Sequence, residues 1–161
     1  MTVENITNYL RISDRISSSG QPDEDGFRSI AAAGFRAVIN LAMPDSENAI
    51  PEEGSIVTEL GMTYHHIPVP FDAPKTRHLK QFFGLMESLQ GENVWVHCVV
   101  NYRVSAFLYL YRRWKGMPDT EARMAVLKDW QPNATWRAFM AQPIDKLRYN
   151  NSLQPTAGSG G

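Results

Sequence analysis

Cys98 and Arg103 are the residues of this chain whose types and spacing most directly suggest chemistry. They stand with four residues between them in the run His97-Cys98-Val99-Val100-Asn101-Tyr102-Arg103-Val104-Ser105. Cys98 is the only cysteine in the chain, so it has no intrachain disulfide partner and its thiol is free for other uses. A thiolate is a strong nucleophile, and a guanidinium is a planar fork of donors that matches two oxygens of a phosphoryl group. The residues before Cys98, from Val94 to His97, read as a short buried strand, and a helix is expected to begin near Arg103. A strand–loop–helix turn gathers backbone N–H groups and the positive end of the helix dipole into one space. Such a space binds oxyanions, and it favours a thiolate for the same reason. Nucleophile and oxyanion clamp therefore share one loop.

On these residues the run resembles the signature of the cysteine-dependent protein tyrosine phosphatases, particularly the dual-specificity branch. The matching features are an apolar strand, His97-Cys98, a short loop, Arg103 and then a hydroxyl residue, Ser105. The family's loop has one more residue between Cys and Arg than the Val99, Val100, Asn101 and Tyr102 found here. Asn101 falls where the family usually has glycine, and Asn tolerates the left-handed backbone that such a turn requires. Ser105 also keeps register, so only the arginine has moved forward, by about 100° of helix rotation. The resemblance implies an α/β fold with a mainly parallel central sheet flanked by helices, and hydrolysis of phosphomonoesters through a cysteinyl-phosphate intermediate.

The reaction also needs a proton for the leaving oxygen. The resemblance places this acid on the loop before the helix that precedes the Cys strand, where Asp72 lies between Pro70 and Pro74. The alternative for Asp72 is to cap the helix expected from Lys75. Asp45 and Asp129 are weaker candidates, one on a looser loop and one near a helix end. By the same resemblance, Cys98, Arg103 and Asp72 are the catalytic set. The loop residues Val99 to Tyr102, with Arg103, hold the substrate, His97 orients the loop by hydrogen bonding, and Ser105 supports the departing thiolate. His97 precedes the nucleophile on a strand and is expected to point away from the pocket. His65 and His66 are adjacent on a strand and so face opposite sides, which does not suit a shared metal. His78 stands with Lys75, Arg77 and Lys80 in what reads as a solvated face, with attraction of anionic substrates as the second reading.

The elements that must position this loop follow in order. Two short strands over 9–12 and 15–18 lead to a helix over 22–33 and a buried strand over 36–41. After a loop at 42–48 come a helix over 51–60 and a strand over 62–67. The rigid segment 68–74, a helix over 75–89 and the turn 90–93 lead into the central strand. Alternation of this kind argues for a parallel sheet covered on both faces, with ligands at the C-terminal strand ends. The helix over 104–115 is apolar nearly all round and is expected to be central, with Arg112, Arg113 and Lys115 at the dipole's negative end. Helices over 119–130 and 133–147 follow. The stretch 154–161, rich in Gly and Ser, reads as a flexible tail.

The chain has 161 residues, 43% of them hydrophobic, with 16 basic and 17 acidic residues and a net charge of −1. This size and composition suit one domain with its own core, and the charge balance gives no reason to expect nucleic-acid or membrane-surface binding. The N-terminal residues carry no secretory pattern, no stretch is long and apolar enough to span a bilayer, and the lone thiol fits a reducing cytoplasm. No metal-ligand spacing occurs, and no cofactor is implied. The partner is then a phosphorylated protein or a small phosphomonoester. Two rival readings stand beside this one. The short Cys-to-Arg spacing also resembles the active loop of some rhodanese-type sulfurtransferases, which carry a cysteine persulfide. Alternatively, the tight loop binds a phosphoryl group and turns it over weakly.

Overall fold

The computed structural model describes residues 2–145 and 147. Five strands form one sheet: β1 (Leu10–Arg11), β2 (Ile16–Ser19), β3 (Ala37–Asn40), β4 (Thr63–His66) and β5 (Val94–His97). Their spatial order is β1-β2-β5-β3-β4. Only β1 and β2 run antiparallel, joined by a turn in which the Ser13 hydroxyl accepts from the amides of Arg15 and Ile16. The other pairings are parallel, because each is reached through a helical crossover. The helices are α1 (Glu24–Ala32), α2 (Glu53–Glu59), α3 (Thr76–Ser88), α4 (Tyr102–Trp114), α5 (Asp119–Ala122) and α6 (Ala134–Met140). This is the mostly parallel α/β architecture expected.

The central strand β5 is buried along its whole length, and alternation along it divides the core in two. Val94 and Val96 pack with Ala37 and Ile39 of β3 under α3, α4 and α6. Trp95 and Val38 face the other way, onto Phe27 and Ile30 of α1 and Val57 of α2. Burying side chains of this size contributes about 1.5–3 kcal/mol each, so the strand is held firmly on both sides. The alternation continues past the strand end. Cys98 shares the α4 side of the sheet, and His97 shares the side of Phe27 and α2.

Two expected helices and the surroundings of His78 differ. The helix over 119–130 stops early: α5 ends at Ala122, a single 3-10 turn covers Arg123–Ala125, and Val126 is extended. The Leu127 amide donates instead to Ser105 Oγ at 3.2 Å, and the chain then carries Trp130 onto the Tyr102 ring, 5.0 Å away and nearly parallel. A continued helix would forfeit both contacts. The helix expected over 133–147 starts as read, with Asn133 accepting from the Trp136 amide, but ends at Met140. Pro143 follows and supplies no amide to extend it. His78 is not on a solvated face; it is 6% exposed, and its Nδ1 accepts from the Lys75 amide at 3.2 Å. The stretch read as a tail, 154–161, lies outside the described residues. Among the described residues no helix is long and apolar enough to cross a membrane.

Candidate active site

The loop after β5 is fixed by its carbonyls. The Cys98 carbonyl meets His97 Nδ1 at 3.2 Å, the Val99 carbonyl accepts from the Gln21 amide at 2.9 Å, and the Val100 carbonyl accepts from Asn8 Nδ2 at 2.9 Å. In a trans peptide the N–H points opposite to the C=O. Turning three successive carbonyls outward therefore turns the amides of Val99, Val100 and Asn101 inward. Among the described residues none of these three amides has an acceptor, and neither do those of Tyr102, Arg103 and Val104 in the first turn of α4; the helical bonding begins with the Ser105 amide. Those first-turn donors are the ones a helix N-terminus always leaves open.

Asn101 makes the turn possible. Its φ is 72°, a left-handed backbone that costs most residues about 1–2 kcal/mol. Its buried Nδ2 donates to the Asn8 carbonyl at 2.9 Å and to Ser18 Oγ at 3.0 Å. Asn8 thus both gives to and takes from the loop. Gly20 sits against the same loop so closely that a Cβ there would lie 2.4 Å from the Val99 carbonyl. No side chain other than hydrogen fits between β2 and the loop.

Arg103 is 6% exposed. Its Nη1 donates to the Val69 carbonyl at 2.8 Å, and its guanidinium carbon lies 5.7 Å from the centre of the Phe71 ring. One edge of the fork is thereby spent on the segment before α3. Nε, on the other edge, is buried and has no partner among the described residues. A buried donor left open costs about 1–3 kcal/mol, more when charged, so this edge is set for an acceptor of some kind. Phe71 itself is anchored through its carbonyl, which accepts from Trp136 Nε1 at 2.7 Å.

The other predicted residues fall around this loop in different ways. Tyr102 opens α4 and stacks on Trp130. Ser105, fully buried, accepts from the Leu127 amide, so its single proton stays free for a second acceptor. Asp72 lies on the turn with Phe71, exposed, and among the described residues it makes no hydrogen bond or ion pair. It does not cap α3, whose N-cap is Lys75. Asp45 and Asp129 are exposed. His65 and His66 do diverge along β4: one ring nitrogen lies by Thr63 Oγ1 at 3.1 Å, the other by the Ala42 carbonyl at 2.6 Å. Among the described residues no group of three His, Cys, Asp or Glu side chains converges as a metal site.

Sequence reasoning missed the groups behind the loop. Glu53, in the first turn of α2, is buried, with Oε2 2.6 Å from His97 Nε2 and Oε1 accepting from Gln21 Nε2 at 2.7 Å. Burial works to raise its pKa, but the His97 ring, Gln21 and the Tyr64 hydroxyl together outweigh that and hold it below the usual carboxylate value. Burial pushes the Tyr64 hydroxyl the other way, upward, with the Glu53 charge adding to the effect. In sequence Glu53 is one acid in a Pro-Glu-Glu-Gly stretch that reads as an ordinary helix start. Asn8, Val69 and Phe71 carried no signal either, because their contribution runs through backbone carbonyls and an aromatic face.

Comparison with known proteins places the chain among related folds. No family model matches the sequence. The structure is similar to a candidate phosphatase of the DUF442 family from Shewanella putrefaciens CN-32, at 34% identity and a TM-score of 0.76, covering 86% of this chain and 91% of that one. It is also similar to TpbA of P. aeruginosa, solved in complex with phosphotyrosine, at 15% identity and a TM-score of 0.71, covering 89% and 90% of the two chains. At that identity the likeness speaks to the fold. A beta-lactamase hydrolase-like protein of Agrobacterium fabrum is 33% identical over 93 residues, which is 55% of this chain and 21% of that protein. The chain thus spans about one fifth of the length of the curated relatives it matches.

Proposed function

The chain belongs to the DUF442 family and has the fold of the cysteine-dependent protein tyrosine phosphatases, and on that premise we propose that it hydrolyses phosphomonoesters through Cys98. The observation that carries this reading is the open, buried Nε of Arg103 in a site whose loop turns its first three carbonyls outward. A phosphoryl group supplies the acceptors that both features lack. Its non-bridging oxygens take the inward amides and the free Arg103 edge, and phosphorus then stands over the thiolate.

The reaction runs in two steps. The Cys98 thiolate attacks phosphorus, the S–P bond forms, and the bond to the leaving oxygen breaks. Asp72 gives that oxygen a proton, so that it departs as an alcohol rather than an alkoxide. Water then attacks phosphorus, Asp72 takes the proton back, and the S–P bond breaks to return the thiolate. The free proton of Ser105 is available to a sulfur anion at that moment. Asp72 is exposed on a turn whose neighbour Phe71 packs over Arg103, which ties the position of the acid to that of the clamp.

An aryl phosphate is the natural first substrate, since its leaving group is easily followed and the fold relative TpbA holds phosphotyrosine. The test pairs the wild type with Cys98→Ser and follows two reactions, release of the aromatic alcohol and sulfur transfer from thiosulfate to cyanide. Hydrolysis that disappears in Cys98→Ser supports the proposal. Sulfur transfer without hydrolysis, or phosphate binding without turnover, overturns it.

A further inference from the structure

Behind the Cys98 loop lies a buried ionisable cluster that the two-step chemistry leaves unused. Glu53 is 3% exposed and His97 is fully buried. Each nitrogen of the His97 ring faces an oxygen: Nε2 lies 2.6 Å from Glu53 Oε2, and Nδ1 lies 3.2 Å from the Cys98 carbonyl. A carbonyl can only accept, so Nδ1 carries a proton. Nε2 then either donates to an ionised Glu53 or accepts from a protonated one. The surroundings decide between these. The second Glu53 oxygen takes the Gln21 Nε2 donor, and the Tyr64 hydroxyl, itself receiving from Asn40 Nδ2 at 3.0 Å, also reaches the carboxylate. Three donors converge on one carboxyl group, and its pKa is held below the usual carboxylate value. Glu53 is therefore set to accept from Nε2, while Nδ1 donates to the Cys98 carbonyl. Among the described residues, α1 offers His97 the edge of the Phe27 ring, β2 sets Ser19 beside it and β3 sets Asn40 beside it, all uncharged.

We propose that Glu53 is a positioning residue for the Cys98 nucleophile: by accepting from Nε2 it keeps a proton on both nitrogens of His97, and Nδ1–H then grips the Cys98 carbonyl. The inference rests on the reading of Cys98 as the nucleophile and deepens it. Two consequences follow from the arrangement. The grip turns the first carbonyl of the loop outward, and so turns the Val99 amide inward. It also sets a positive charge one residue before the thiol, across the sheet from it, with the compensating carboxylate on the far nitrogen. Coulomb energy falls with distance, so the nearer cation dominates at sulfur. The resembling phosphatases suggested His97; nothing in its sequence context suggested that a residue 44 positions earlier would set its charge.

Because Cys98 is the chain's only cysteine, ultraviolet thiolate absorbance, taken as the difference from Cys98→Ser, reports this group alone and needs no reagent to enter the site. The proteins compared are the wild type, Glu53→Gln, Glu53→Asp, His97→Asn and the Glu53→Gln/His97→Asn double variant. Glu53→Gln should move the thiolate titration upward by about one pH unit, a tenfold loss of thiolate on its acid side. His97→Asn should do the same, the double variant should add nothing further, and Glu53→Asp should recover part of the shift. A Glu53→Gln titration that overlays the wild type would overturn the proposal. Should that variant fail to fold, 15N shifts of the imidazole in the unaltered protein decide instead. Both His97 nitrogens must be protonated at neutral pH, and a neutral ring overturns the proposal. Failure to hydrolyse phosphate would count against the proposed function and leave the thiol titration readable.

Discussion

Arg103 can hold a phosphoryl group only with the edge of its guanidinium that Val69 leaves free. Lysine in its place would keep the charge and lose the fork. Arg103→Lys should therefore lower kcat for aryl phosphate about 100-fold or more, as the loss of a donor aimed at developing charge does; a change of less than threefold would deny the clamp role. Asp72→Asn separates acid catalysis from binding. Hydrolysis of an aryl phosphate with a poor leaving group should fall steeply, while one with a good leaving group is less affected, because the latter departs without a proton. Equal losses for both would remove Asp72 from the first step. Asn101 tests the turn itself. With φ at 72°, Asn101→Gly loses the side-chain bonds to Asn8 and Ser18, and Asn101→Ala adds backbone strain to the same loss. Ala should then be less stable than Gly by about 1 kcal/mol in chemical denaturation. At this scale the strand–loop–helix turn from Cys98 to Ser105, with Asn101 at its left-handed position, was legible because residue types and spacing mark it out. Glu53, Asn8 and Val69 were not, since an acid in a helix start and two ordinary loop residues announce nothing about a partner far along the chain.

Elements place these residues through contacts that no local pattern encodes. The end of β5 was readable from its apolar run, and so was the start of α4. The joint between β2 and the Cys98 loop is a matter of clearance: Gly20 leaves no room for a Cβ beside the Val99 carbonyl. Gly20→Ala should push the loop out and lower kcat/KM about tenfold or more, while a distant Gly84→Ala, where nothing lies within 4 Å, should leave it unchanged. Helical propensity runs on through 130, beyond the end of α5 at Ala122. A tertiary bond from Leu127 to Ser105 and the stacking of Trp130 on Tyr102 outweigh that propensity. Ser105→Ala would leave the Leu127 amide without its acceptor and should cost about 1 kcal/mol or more of stability.

Across the whole molecule, one sheet with helices on both faces carries the Cys98 loop at the end of its central strand and Asp72 on the segment before α3. That much followed from alternating apolar strands and helices. The division of labour between the two faces did not, because it depends on which side of β5 each helix returns to. Protonation links the fold to pH through His78. Burial first, then the charges of Arg77 and Lys75, hold its pKa below the ordinary 6.5. The unfolded chain therefore takes up a proton that the folded one refuses, so this stability is present above about pH 6.5 and is lost as pH falls through the lowered folded value. Comparing Tm between about pH 7 and 5, His78→Gln should fall less steeply than the wild type; identical slopes would place the acid sensitivity elsewhere. The central claim, that phosphate passes through sulfur, is tested most directly by rapid-quench mass spectrometry of the protein turning over an aryl phosphate. A phosphoryl adduct on the peptide containing Cys98, formed and lost at rates that account for turnover, is the predicted result. Steady hydrolysis with no adduct on Cys98, or with Cys98→Ser still active, would contradict it.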